Sequence, residues 1–132
     1  MCIRDSLNNL WDDISGDETE AGDVEYRGIY IMNTNDSDSF LNIKLWISEE
    51  IADAQTKVDI GIEAPVMQSI ANESTAPSGI TFSHPVSESE GIDIPDLGAS
   101  EYYGIWIRRT VTAGDSHGSS LGYTLSVKGE TL

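Results

Sequence analysis

Cysteine is almost missing: Cys2 stands alone in 132 residues, so no intrachain disulfide can form. Cations are scarce, with seven Lys and Arg against 23 Asp and Glu and a formal net charge of −16. Such a chain lacks the basic stripe that phosphate backbones demand, and it suits an anionic membrane surface no better. The charge itself suits solubility in salt and self-repulsion between copies. No apolar run approaches the roughly 18 residues of a spanning helix. No basic region followed by an apolar stretch opens the chain, so synthesis in a cytoplasm is the expectation. GxGxxG and Walker patterns are both missing, which removes the phosphate-cradling glycine loops. Two isolated histidines, His84 and His117, make no zinc ligand set. His117 neighbours Asp115 and Ser116, but a nucleophilic triad needs side chains that converge, and a Gly/Ser-rich run reads as a solvated loop. Paired carboxylates such as Asp12-Asp13, Asp17-Glu18 and Glu49-Glu50 follow from the acidic composition, whereas glycoside hydrolysis needs two placed across a cleft. The expectation is a protein that is not an enzyme.

What is present is alternation with period two. In Glu101–Thr110, EYYGIWIRRT, Tyr103, Ile105 and Ile107 fall on one face, and Tyr102, Gly104, Trp106 and Arg108 on the other. In Phe40–Ser48, Leu41, Ile43, Leu45 and Ile47 point in, while Asn42, Lys44, Trp46 and Ser48 point out. Thr56–Ala64 repeats the pattern with Val58, Ile60 and Ile62 inward, and Leu121–Lys128 does so with Leu121, Tyr123, Leu125 and Val127. Val24–Asn33 separates Val24, Tyr26, Tyr30 and Met32 from Ile29 and Ile31, and with both faces apolar towards its end it suits a central position in a sheet. Gly79–Ser83 and Ile92–Ile94 read as short strands. Pro65–Gly79 is a long connection of the kind that crosses between sheets or carries function. With little or no helix, the pattern predicts an all-β antiparallel β-sandwich of about 7–8 strands, Ig-like or jelly-roll-like. Residues 1–6, MCIRDS, fit nothing that follows and read as an adapter or cloning scar. Residues 7–23 form an acidic arm, and 24–132 a single sandwich domain.

Three groups of residues are candidates for function. Leu10 and Trp11 would tuck the arm against the sandwich or a neighbouring subunit. Trp46, apolar on a polar face, would be covered by the second sheet or the arm, anchor a subunit interface, or stack on a sugar. Tyr102, Trp106 and Arg108 are residue types that interfaces favour. Arg108 and Arg109 should meet carboxylates on neighbouring strands, with Glu25 a candidate, or on another subunit. Asn33, Asn35, Asp36 and Asp38 offer oxygen ligands at a turn, which suggests calcium. The run lacks the central glycine and closing Glu of an EF-hand loop. These features leave a calcium-dependent carbohydrate- or surface-binding module as the alternative to an assembly protein.

Asn9-Leu10-Trp11-Asp12-Asp13, Glu25-Tyr26-Arg27, Asn33-Thr34 and Trp106-Ile107-Arg108-Arg109-Thr110-Val111 together resemble a family of small virion structural proteins of tailed bacteriophages. The resemblance spans nearly the whole chain after residue 6. It implies a β-sandwich that decorates the head or belongs to the tail, made in the host cytoplasm and carried in the virion. Its implied partners are other virion proteins and copies of itself, as a homo-oligomer in the assembled particle, with neither nucleic acid nor membrane. It carries no catalytic residues.

Overall fold

The computed structural model describes residues 22–51, 56–112 and 122–132. The described residues form two three-stranded antiparallel sheets. The strands are β1 (Asp23–Met32), β2 (Phe40–Ile51), β3 (Thr56–Ile62), β4 (Ile92–Ile94), β5 (Tyr102–Val111) and β6 (Gly122–Thr131). The first sheet runs in the order β1-β5-β3 and the second β4-β2-β6. The only helical element among the described residues is a 3-10 turn at Glu88–Glu90.

Alternation decides which side chains fill the space between the sheets. Ile29 and Ile31 from β1, Ile105 and Ile107 from β5, and Val58 and Ile60 from β3 meet Ile43, Leu45, Ile47 and Ile94 of the facing sheet. Removing these branched side chains from water is the main driving force for the fold. β5 is central in its sheet, so Ile105 and Ile107 are fully enclosed. One pair of charges sits among them. Glu25 of β1 and Arg109 of β5 are directly opposite in the register, and their side chains form a buried ion pair. Of the two arginines, it is Arg109 that meets the candidate carboxylate Glu25.

Three expectations need correction. Six strands stand among the described residues, where 7–8 were expected. The run Gly79–Ser83 makes only one bridge, Ser83 to Ile60, because the chain then leaves β3. It crosses to the second sheet, where the Pro85 carbonyl accepts from Ile47 N–H at 2.8 Å. The inward position of Leu41 is the third. A bulge between Leu41 and Lys44, with Asn42 at φ 52°, shifts the register by one residue. Phe40 therefore packs on the core instead of Leu41. Gly129 lies opposite this bulge: a Cβ there would stand 2.7 Å from the Phe40 ring and 2.8 Å from the Leu41 carbonyl.

Candidate functional site

The outward face of the first sheet holds the densest chemistry in the described molecule. The pleat brings Trp106, Arg108, Tyr102 and Gly104 of β5 to this face, beside Tyr30 and Met32 of β1 and Asp59 of β3. Trp106 has glycine on both sides in register, Gly28 on β1 and Gly61 on β3. The absent side chains let the long connection after β3 lie on the sheet. A Cβ at Gly104 would stand 2.1 Å from Met67 Cγ, and one at Gly61 2.7 Å from the Thr81 carbonyl oxygen. Trp106 is thereby buried by its own chain.

Polar bonds hold that connection down. Trp106 Nε1 donates to Glu63 Oε2 at 2.7 Å. Gln68 donates to the same carboxylate from its backbone N–H at 3.2 Å and from Nε2 at 2.8 Å. Gln68 Oε1 accepts in turn from Ser78 N–H at 2.9 Å. Burial pushes the Glu63 carboxyl up, but the bonds from Trp106 and Gln68 outweigh it and hold the group below the ordinary carboxylate value.

Further along β5, Arg108 donates from Nη2 at 2.7 Å and Nε at 3.2 Å to Asp59 Oδ2. The Phe82 ring covers its guanidinium, 4.7 Å from centroid to Cζ. Asp59 is buried and also receives Lys57 Nζ at 3.1 Å, with His84 Nδ1 3.8 Å away. Arg108 therefore meets its carboxylate within the chain. At the other end of the face the cover stops. Tyr30 and Tyr102 meet edge to face, centroids 5.2 Å apart, with Met32 beside them, all exposed, and Tyr30 Oη accepts from Met67 N–H of the connection at 3.3 Å.

The sequence candidates separate accordingly. Tyr102 lies on open surface. Trp106 does not, which corrects its reading as an interface residue: Met67, Gly28 and Glu63 enclose it. Trp46 is half-buried on the outer face of the second sheet, opposite Ser126, and is not near Tyr102 in sheet or register. Leu10, Trp11 and His117 lie outside the described residues. The turn proposed for calcium closes on itself. Asn33 is buried and its Nδ2 donates to the carbonyls of Asp38, Leu97 and Gly98 at 2.8, 3.1 and 3.1 Å. Its Oδ1 accepts from Asn35 N–H, and Asn35 Oδ1 accepts from the N–H groups of Ser37 and Asp38. These oxygens are turned to backbone donors and do not converge on an ion, and Asp36 makes no side-chain bond within this network. Among the described residues no group of three or more His, Cys, Asp or Glu is placed to hold a metal. A cavity of about 370 Å³ opens between Ile62, Thr81, Ser83 and Ile92, and none of these carries a titratable group.

Tyr30 and Met32 are exposed, which corrects the expectation of a central strand apolar on both faces: β1 lies at the edge of its sheet. The signal was present: Ile29 and Ile31, the more apolar pair, sit on the opposite side of the same strand and claim the core. Comparisons with protein-family models, with curated proteins and with solved structures return no match for this chain.

Proposed function

We propose that the protein is a non-enzymatic structural component of a tailed-phage virion, a capsid decoration or tail protein that acts through protein–protein contacts. The observation that carries this reading is the exposed cluster of Tyr30, Met32 and Tyr102 on a chain of net charge −16. Aromatic and Met side chains are enriched where proteins meet, and an apolar patch in so acidic a surface costs solubility unless a partner covers it. The partner that fits is a neighbouring virion subunit with an apolar centre and a cationic rim. The resemblance of the Trp106–Val111 and Glu25–Arg27 runs to small virion proteins supplies the setting.

Co-expression with the proteins encoded beside this gene tests the reading. The wild-type chain is expected to co-purify with a capsid or tail protein, and Tyr102→Arg is expected to abolish that while leaving the circular dichroism spectrum unchanged. Neighbouring genes unrelated to virion assembly, or no binding to any capsid or tail protein they encode, would overturn it.

A further inference from the structure

A sandwich of two open sheets has four edge strands, and each presents a row of unpaired N–H and C=O groups to any strand that passes. Three of the four are guarded here. On β1, Tyr26 N–H is taken by the Glu73 carbonyl at 2.7 Å, and the Glu73 carboxylate grips Arg27. On β3, Ile60 and Ser83 exchange both of their backbone bonds at 2.9 Å. β4 is three residues long and is followed by Pro95, and beyond it Pro85 occupies Ile47 N–H. Among the described residues, positions 124–131 of β6 have no such device. The strand runs for ten residues, contains no proline, and among the described residues pairs with β2 alone.

The residues of β6 also say what could lie there. The strand carries one cation and one anion, Lys128 and Glu130, on either side of Gly129. It is a neutral edge in a chain of net charge −16, so two copies that repel elsewhere can approach along it. Both charged side chains are exposed on the outward face, where Lys128 Nζ lies 3.0 Å from Glu88 Oε1 and Glu130 Oε2 accepts from Asn42 Nδ2 at 3.0 Å; solvent-exposed contacts of this kind are weak and exchange readily for pairing across the two-fold. An antiparallel pairing of β6 with itself about a two-fold axis at Gly129 places Lys128 opposite Glu130 of the other copy, and Glu130 opposite its Lys128. Val127 and Thr131 then stand opposite each other on the inner face. Opposite charges directly across an antiparallel pair are favourable and like charges are not.

We infer that the outer edge of β6 is a self-pairing surface at which a second copy of this chain adds its own β6 antiparallel about Gly129, joining the two β4-β2-β6 sheets into one six-stranded sheet. The interface is isologous, so each contact occurs twice. The inference goes beyond the assembly role proposed above, because it names a partner, a surface and a symmetry separate from the Tyr102 patch.

Sedimentation equilibrium of the full chain across a concentration series, with hydrogen exchange followed by mass spectrometry, tests it. A concentration-dependent dimer is expected, with protection of amides in 126–132 rising as the dimer forms. Lys128→Glu and Glu130→Lys each replace two attractions by two repulsions and should weaken the dimer by roughly tenfold or more. The double variant Lys128→Glu/Glu130→Lys restores the pairing in exchanged form and should return to within about threefold of wild type. Both charges are exposed, and circular dichroism verifies that each variant is folded.

A monomer at every concentration overturns the inference, including a monomer whose β6 amides are already protected because residues 1–21 of the same chain fill the edge. A dimer indifferent to charge reversal, or not recovered by the double variant, overturns the two-fold register. Tyr102→Arg should leave the dimer intact. If it breaks the dimer while Lys128→Glu does not, the β6 surface is wrong and assembly through the Tyr102 patch stands. If the β6 dimer forms but no capsid or tail protein binds, the virion role fails and the self-pairing stands.

Discussion

Arg108 and Arg109 are neighbours in sequence and opposites in environment. The pleat of β5 sends Arg109 into the sandwich, where it meets Glu25 of β1 with both groups out of water. It sends Arg108 to the outer face, where Asp59 of β3 receives it under the Phe82 ring and solvent still reaches about a third of its side chain. Each cation has its carboxylate on an adjacent strand, one to either side. The difference lies in hydration. Arg109 and Glu25 have given up water almost completely, so each depends on the other, while Arg108 could regain water if Asp59 were lost. Burial pushes the Glu25 carboxyl up, and the Arg109 charge and hydrogen bond do not fully offset it.

The largest effect should therefore come from Arg109. Arg109→Met leaves Glu25 buried and unpaired, and should cost about 3–5 kcal/mol in urea-induced unfolding. Removing both charges at once, Glu25→Leu with Arg109→Met, should recover most of that loss, because a desolvated pair replaced by apolar groups of similar volume is close to neutral. Arg108→Met should cost only about 1–2 kcal/mol, since Asp59 keeps Lys57 Nζ at 3.1 Å. Equal losses at the two positions would remove the distinction between the faces.

These faces were unequally legible in the sequence. Period-two spacing identified β5 and the isoleucines of its core face, because burial follows from alternation in a two-layer fold; the acidic composition made carboxylates the expected partners of Arg108 and Arg109, with Glu25 a candidate, and did not say which arginine would take it. What covers the outer face was not legible. Trp106 alternates with Tyr102 and Arg108, so spacing puts all three on one surface and says nothing of a loop laid across it. Only the glycines hinted otherwise: Gly28, Gly61 and Gly104 bring no side chain to the area around Trp106, and that vacancy is filled by Met67 and Ile80 from a connection with no periodicity of its own. The Asn33–Asp38 turn is ambiguous in the sequence for a similar reason. Oxygen-bearing side chains at a turn are equally suited to an ion or to their own backbone, and the second use wins here.

The outer face can be broken without touching a charge. Gly104→Val would push methyl groups into the space held by Met67, whose Cγ lies 2.1 Å from the position of the new Cβ, with the Ala64 carbonyl oxygen at 2.9 Å. The side chain of Met67 can yield, but the Ala64 backbone cannot without lifting the connection. The expected cost is about 2–3 kcal/mol, with faster hydrogen exchange across 63–80. A core-face change, Ile105→Val, should leave exchange in 63–80 unchanged. If Gly104→Val were silent, the connection would not be packed on the sheet at all.

The smallest effect separates the faces by pH. The folded-state value of Glu63 is depressed below the ordinary 4.5, so its contribution is present above that value and lost as pH falls through the folded value. Glu25 is shifted the other way. Its contribution is complete below the ordinary 4.5 and lost as pH rises through its raised folded value. Acid should thus loosen the outer face before the core. Protonated Glu63 is a poorer acceptor for Trp106 Nε1 and Gln68, and its weakening should cost about 1 kcal/mol. With Trp11 and Trp46 replaced by Phe, the remaining emission comes from Trp106 and reports that face alone. It should shift to longer wavelength as pH falls below the ordinary 4.5 and through the lowered folded value, while far-ultraviolet dichroism stays constant. Glu63→Gln should abolish the shift, because no proton is left to bind. Emission and dichroism that change together in acid would mean that the cover and the core open as one unit, and the two faces of β5 would then differ in composition but not in stability.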